Sequence, residues 1–277
     1  MVRIVTDSTA DIPAELAAKL EIAVVPSYVI FGSESYRDGV ELTKEQFYER
    51  LSAAREIPTT ATPPPATYEE AYRRLAAQTN EIVSIHLAAN LSGLYNAASV
   101  AAQGVPEAQI VVIDSEQVTM GYGLMAVAAA EAAQQGATLG EVVALVEGMK
   151  DRSRVLAVLD TLEFLYRGGR VGWARATLGT LMQIKPIVEV QRGEVRLVER
   201  ARTRARALNR LVAMIQALGP LERAIVLHAN APEWAEQLVD QVQALLPEWK
   251  RLVGHAGVTV ASHTGPGAIG IACVTDR

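Results

Sequence analysis

Short β-rich runs alternate with amphipathic helical stretches through the first half of the chain, and this alternation constrains the fold more than any other feature of the sequence. Arg3 to Thr6, Ala23 to Phe31, Ile82 to Leu87 and Ile110 to Asp114 read as strands, and helical patterns fill the intervals. Helix starts carry capping boxes, in which a Thr hydroxyl and a Glu or Gln three residues later satisfy each other's orphan N–H groups: Thr43 with Gln46, Thr67 with Glu70, Thr138 with Glu141. Such βαβ alternation predicts an α/β fold whose N-terminal part is a mainly parallel sheet with helices on both faces.

After Asp151 the texture changes. Arg154 to Leu159 reads as a strand, and Ile187 to Val190 and Val195 to Val198 flank an Arg-Gly turn like a hairpin. Helical patterns at about Arg204 to Leu218 and Pro232 to Leu246 surround a strand at Ala224 to His228, and Val258 to Ala261 and Ala268 to Val274 read as final strands. A smaller C-terminal α/β domain with more antiparallel sheet is therefore expected, dividing the chain into 1–152 and 153–277. A length of 277 residues also exceeds the usual single compact core. With half the residues hydrophobic and only 5% aromatic, that interior must be built from Ala, Val, Leu and Ile.

A formal charge of -5 gives no global attraction to nucleic acid or anionic lipid, so any basic partner site must be local. The start, Met1 to Asp7, lacks the apolar stretch of a signal peptide, and the most apolar helix, Leu124 to Ala133, is interrupted by Glu131 and too short to span a bilayer. The single Cys273 cannot form an internal disulfide, and His86, His228, His255 and His263 show no metal-ligand spacing. A cytoplasmic protein without metal or cofactor is expected.

Three segments are candidate sites. Ala88 to Tyr95 follows a strand and opens a helix, where backbone N–H groups, the helix dipole and the Ser92 hydroxyl favour an anion, although Ser92 serves equally well as a helix cap. Pro58 to Pro65 offers the hydroxyls of Thr59, Thr60 and Thr62 on a chain stiffened by prolines, or else a plain rigid connector. His263 precedes a Gly-Pro-Gly turn that formally contains G-x-G-x-x-G, but the segment lies outside a βαβ unit, so a dinucleotide site is rejected. A hydrolase triad of Ser92, His263 and Asp114 is the weaker alternative, because the nucleophile elbow lacks both glycines. The arginines from Arg192 to Arg210, with Arg202, Arg206 and Arg210 at helical spacing, read as a solvated face or as a docking surface for an acidic or phosphorylated partner. Without stacking aromatics they do not make a nucleic-acid site.

Taken together, Val5 to Asp11, Thr59 to Pro65, Leu91-Ser92-Gly93, Tyr166 to Val171, Ile184 to Ile187, Ala201 to Arg204 and His263 to Gly267 resemble the DegV family in order along nearly the whole chain. The resemblance implies two α/β domains holding one long-chain fatty acid, its carboxylate bound by the Thr-rich loop, the Ser-Gly turn and the C-terminal His, here Thr60, Ser92, Gly93 and His263. It implies a non-catalytic subunit that presents the acid to a fatty acid kinase, with Arg170 and Arg202 as docking residues. Two departures matter: the family's usual Thr-Ser-Gln-Pro-Ser reads Thr60-Ala61-Thr62-Pro63-Pro64 here, and Leu94 replaces a Thr after Ser-Gly. Thr62 thereby becomes an alternative carboxylate donor to Thr60. A ~16-carbon tail contributes on the order of 10 kcal/mol gross at ~0.8 kcal/mol per buried CH₂. The carboxylate is the difficult end, since hydroxyls, N–H groups and, when protonated, His263 must replace its water.

Overall fold

The computed structural model describes residues 1–53, 57–173, 184–246 and 253–276. Its strands are β1 (Arg3–Asp7), β2 (Ala23–Val25), β3 (Tyr28–Phe31), β4 (Glu34–Arg37), β5 (Thr59–Ala61), β6 (Glu81–His86), β7 (Gln109–Asp114), β8 (Ser153–Val158), β9 (Lys185–Gln191), β10 (Glu194–Ala201), β11 (Leu221–His228), β12 (Val253–His255) and β13 (Ile269–Thr275). As the βαβ pattern predicts, β2-β1-β6-β7 form a wholly parallel sheet. The C-terminal half forms a second sheet of order β10-β9-β8-β13-β11-β12, antiparallel except at β11/β12. The α/β fold with a parallel N-terminal and a mostly antiparallel C-terminal sheet is thus observed.

Helix Met120–Gln134 joins the two sheets. Its residues are small or apolar on every side, so no face of it suits water, and it packs on β1 and β6 as well as on β8 and β13. The core it belongs to accordingly mixes Val5, Ile82 and Ile85 with Val155, Leu227 and Ala272. Glu131, the charge in this helix, pairs with Arg223 at 2.7 Å. On the opposite face of the second sheet, Leu208, Leu211 and Ile215 from helix Arg204–Ala217 pack with Leu238 from helix Pro232–Val242 and with Leu156 and Ile271.

Four expectations are corrected. The run Ala23 to Phe31 is two strands in different sheets, parted at Pro26, which cannot donate a ladder hydrogen bond. Its second part, β3, forms a small antiparallel sheet with β4 and β5, so Thr59–Ala61 is a strand and not a free connector. Thr67 does not cap a helix: helix Pro65–Ala76 starts two residues earlier, with Pro at its first turn, where the missing N–H costs nothing. Val258 to Ala261 is helical, within Val258–Thr264, and tertiary contacts at its first turn outweigh the β preference of Val258-Thr259-Val260. The boxes Thr43/Gln46 and Thr138/Glu141 form as expected.

Candidate functional site

A cavity with about 1220 Å³ of atom-free space, its mouth included, opens beside the second sheet. Its walls are mostly aliphatic: Val155 and Ala157 of β8, Val188 and Val190 of β9, Leu227 of β11 and Ile269 and Ile271 of β13, with Leu87, Leu91 and Leu165 closing over them. Hydroxyls do reach this wall, but most are already engaged. Thr9 bonds Asp7, Thr119 donates to Asp11 at 2.5 Å, and Ser27 and Thr259 bond each other at 2.9 Å. Thr264 donates to the Val260 carbonyl at 3.1 Å.

The remaining polar groups, apart from His228, gather in one cluster: Thr60, Thr62, Ser92, His263 and Arg170. Thr60 is fixed by the pairing of β5, where it stands opposite Val29. Thr62 follows the strand, and a methyl group placed on Gly93 would lie 3.2 Å from its Oγ1, so the Thr segment and the Ser-Gly turn meet directly. Among the described residues the Thr62 hydroxyl has no hydrogen-bond partner. Ser92 Oγ accepts only a long contact from Leu94 N at 3.4 Å, so its O–H remains available as a donor. Helix Leu94–Gln103 begins here without a side-chain cap, which leaves its first N–H groups and dipole facing the same region. The alternative of Ser92 as an ordinary cap is therefore met only in part.

His263 is half-buried in the last turn of helix Val258–Thr264, with Nε2 3.0 Å from Thr60 Oγ1. Nδ1 has no partner and faces Gly168, where any side chain would collide with it. Burial, and secondarily the Arg170 charge, pushes the imidazole down to about 4, so it is neutral near pH 7. A neutral ring carries one N–H, and placing it on Nδ1 would bury an unpaired donor; on Nε2 it donates to Thr60. Thr60 Oγ1 then accepts from His263 and turns its own O–H outward.

The other family-like segments frame this cluster. Gly168 ends helix Glu163–Gly168 against the His263 ring, and Gly169, at φ 70°, turns the chain in the left-handed conformation that favours glycine toward exposed Arg170. Asp160 receives Lys185 Nζ at 3.0 Å and Arg204 at 2.9 Å, and Arg204 also donates to the Gly267 carbonyl. Arg204 thus ties the glycine turn that follows His263 to Asp160, which Lys185 also holds. Sequence reasoning missed Asp160, whose only local signal is its place just beyond the end of β8.

The triad of Ser92, His263 and Asp114 does not assemble. His263 bonds Thr60, while Asp114 Oδ1 accepts from the N–H groups of Ala89 at 3.2 Å and Glu116 at 3.0 Å. The even arginine register is also corrected: helix Arg204–Ala217 starts after Thr203, so Arg202 precedes the helix that holds Arg206 and Arg210. Arg192, Arg196 and Arg210 pair with Asp151, Glu194 and Glu199. Arg170 borders a second hollow outside the mouth, lined by Asn90, Trp173, Arg196 and Arg200; exposed Arg202 lies two residues beyond Arg200.

Comparison with known proteins places this architecture. A family model described as "Uncharacterised protein, DegV family" matches residues 1–276. A DegV domain-containing protein of Streptomyces coelicolor is 36% identical over 98% of this chain and 97% of its own length. Protein DegV of Bacillus subtilis is 33% identical over 98% of both chains. Among solved structures, a fatty-acid-binding DegV family protein from Thermus thermophilus superposes with a TM-score of 0.92 at 33% identity, covering 99% of both chains. A stearic-acid-binding protein from Eubacterium ventriosum superposes at 0.89 with 26% identity, covering 99% of this chain and 98% of that one.

Proposed function

The chain belongs to the DegV family, and on that premise we propose that it binds one long-chain fatty acid by its carboxylate and presents it to a fatty acid kinase. The observation that carries the first part is the asymmetry of the cavity: aliphatic walls, and available hydroxyl donors gathered at Thr60, Thr62 and Ser92. A carboxylate seated there receives the Thr62 and Ser92 hydroxyls and the Thr60 hydroxyl, the last held in place by neutral His263. Such charge-assisted bonds replace the water that burial removes, while the tail supplies the hydrophobic gain.

Presentation fits the same geometry. Arg170 belongs both to the cavity wall and to the hollow outside it, so a partner seated on Arg170, Trp173, Arg196 and Arg200 would reach the head group and not the tail. The kinase supplies ATP and performs the transfer; this chain contributes binding and orientation, as a non-catalytic subunit. The reading assigns the protein to the cytoplasm, and among the described residues no helix is long and apolar enough to cross a membrane.

Protein purified from a bacterial host should release about one equivalent of fatty acid on denaturing extraction, read by mass spectrometry. Ser92→Ala should weaken fatty-acid binding by roughly 10 to 100-fold, since a hydrogen bond to a charged group is worth ~1.5 to 3 kcal/mol. Absence of bound lipid together with unchanged affinity in the variant would refute the site.

A further inference from the structure

Resting on the fatty-acid reading, we infer that Asp11 and Asp38 are positioning residues for the carboxylate site, holding from the N-terminal half the start of the helix whose last turn carries His263. Gly257 N donates to Asp11 Oδ1 at 2.8 Å, and Thr119 Oγ1 donates to its other oxygen at 2.5 Å. Thr259 Oγ1 donates to Asp38 Oδ2 at 3.1 Å, and Ser8 Oγ joins that oxygen at 3.0 Å. Both carboxylates therefore grip the beginning of helix Val258–Thr264, and His263 follows about 9 Å along it at 1.5 Å per residue. So short a helix moves as one rod: tilting its start displaces the ring that orders Thr60.

Three features argue that the grip is built for placement. Asp11 and Thr119, the two sides of one contact, both have positive φ, at 56° and 47°, which is costly for a β-branched Thr. Gly257 lies so close to Asp11 Oδ1 that any side chain there would collide with it. Both carboxyls are buried, and burial raises both above the ordinary carboxylate range, so keeping acids here costs stability that a neutral contact would not. Sacrificed stability at a site's margin is a mark of function.

A merely structural role and a positioning role separate in the preference for hexadecanoic acid over hexadecan-1-ol, which share a tail and differ at the head. His263→Ala should cut that preference roughly tenfold. Asp11→Ala should cut it by a similar factor, Asp11→Asn, which keeps the acceptor for Gly257, should stay within about twofold of wild type, and Asp11→Ala with His263→Ala should fall no lower than His263→Ala alone. Thr259→Val, which keeps shape and charge and loses the hydroxyl contacts to Asp38 and Ser27, should lower the preference as well, and serves if Asp11→Ala does not fold. Equal weakening of acid and alcohol by Asp11→Ala, full additivity with His263→Ala, or an unchanged preference in Thr259→Val overturns the inference while the carboxylate site stands. An unchanged preference in His263→Ala itself overturns the carboxylate site, and the inference with it.

Discussion

Thr60 Oγ1 and His263 Nε2 lie 3.0 Å apart although 203 positions separate them in the sequence. The contact joins a short N-terminal strand to a C-terminal helix, and it gives the cavity mouth one hydroxyl whose direction is set by an imidazole.

Because the two residues act as one donor, Thr60→Val and His263→Ala should each weaken fatty-acid binding by roughly 10 to 100-fold, and the double variant should be little worse than the weaker single one. Displacement of a fluorescent fatty-acid probe measures all three. Fully additive losses would show that Thr60 and His263 contact the ligand independently.

Adjacent glycines should behave differently. Gly168→Ala places a methyl group against His263 Nδ1, so affinity should drop about tenfold through the displaced ring. Gly169 meets no neighbour but sits at φ 70°, so Gly169→Ala should cost about 1 to 2 kcal/mol of stability with affinity nearly unchanged. Thermal melts and probe titrations on both variants test the contrast; equal affinity in Gly168→Ala and wild type would contradict the packing role.

Arg202 is exposed just ahead of helix Arg204–Ala217 and is not among the residues lining the cavity. Arg202→Ala should leave lipid affinity intact and impair acyl-phosphate formation with a reconstituted kinase. Raised ionic strength should reproduce the defect in the wild type, because a rim charge acts mainly on association. Collapse of lipid affinity with normal phosphorylation of the remaining bound acid would move Arg202 into the pocket.

Titration of the buried groups sets two opposing trends. Burial lowers His263 and His228 to about 4, so the unfolded chain takes up protons first; their contribution to stability is complete above the unfolded value of 6.5 and is lost as pH falls toward 4. Asp11 is raised to about 7 from an ordinary 3.8, so the native state keeps its proton longer, and stability from this group declines as pH rises across that window. Asp11→Asn removes the second trend. Its melting temperature should exceed that of the wild type by several degrees at about pH 8, with the gain vanishing toward about pH 4. A lower melting temperature at the alkaline end would show that the ionised carboxylate is net stabilising.

Much of the parallel sheet was legible because its strands are local runs separated by helices of matching period, and Thr60, Thr62, Ser92 and His263, expected from scattered segments, line one cavity. What escaped depends on partners far away in the chain. Nothing near Thr59 announces pairing with Val29 and Ile30, and Val258-Thr259-Val260 carries a β preference that only Asp11 and Asp38 override. Asp160 meets Lys185 and Arg204 across 25 and 44 positions, so its role is invisible until the chain has folded. Asp11 stands in the opening segment, but a motif names a residue without saying which helix it will hold.

Helix Met120–Gln134, buried against strands of both sheets, also bears on how the proposed ligand would exchange. Spreading the sheets apart as a clamshell would pull that helix from one of them and expose its apolar residues to water, at a cost that grows with the area uncovered. On the proposed reading an acyl chain therefore exchanges without the sheets parting, and its residence time follows local motion at the cavity's edge more than the overall stability of the molecule.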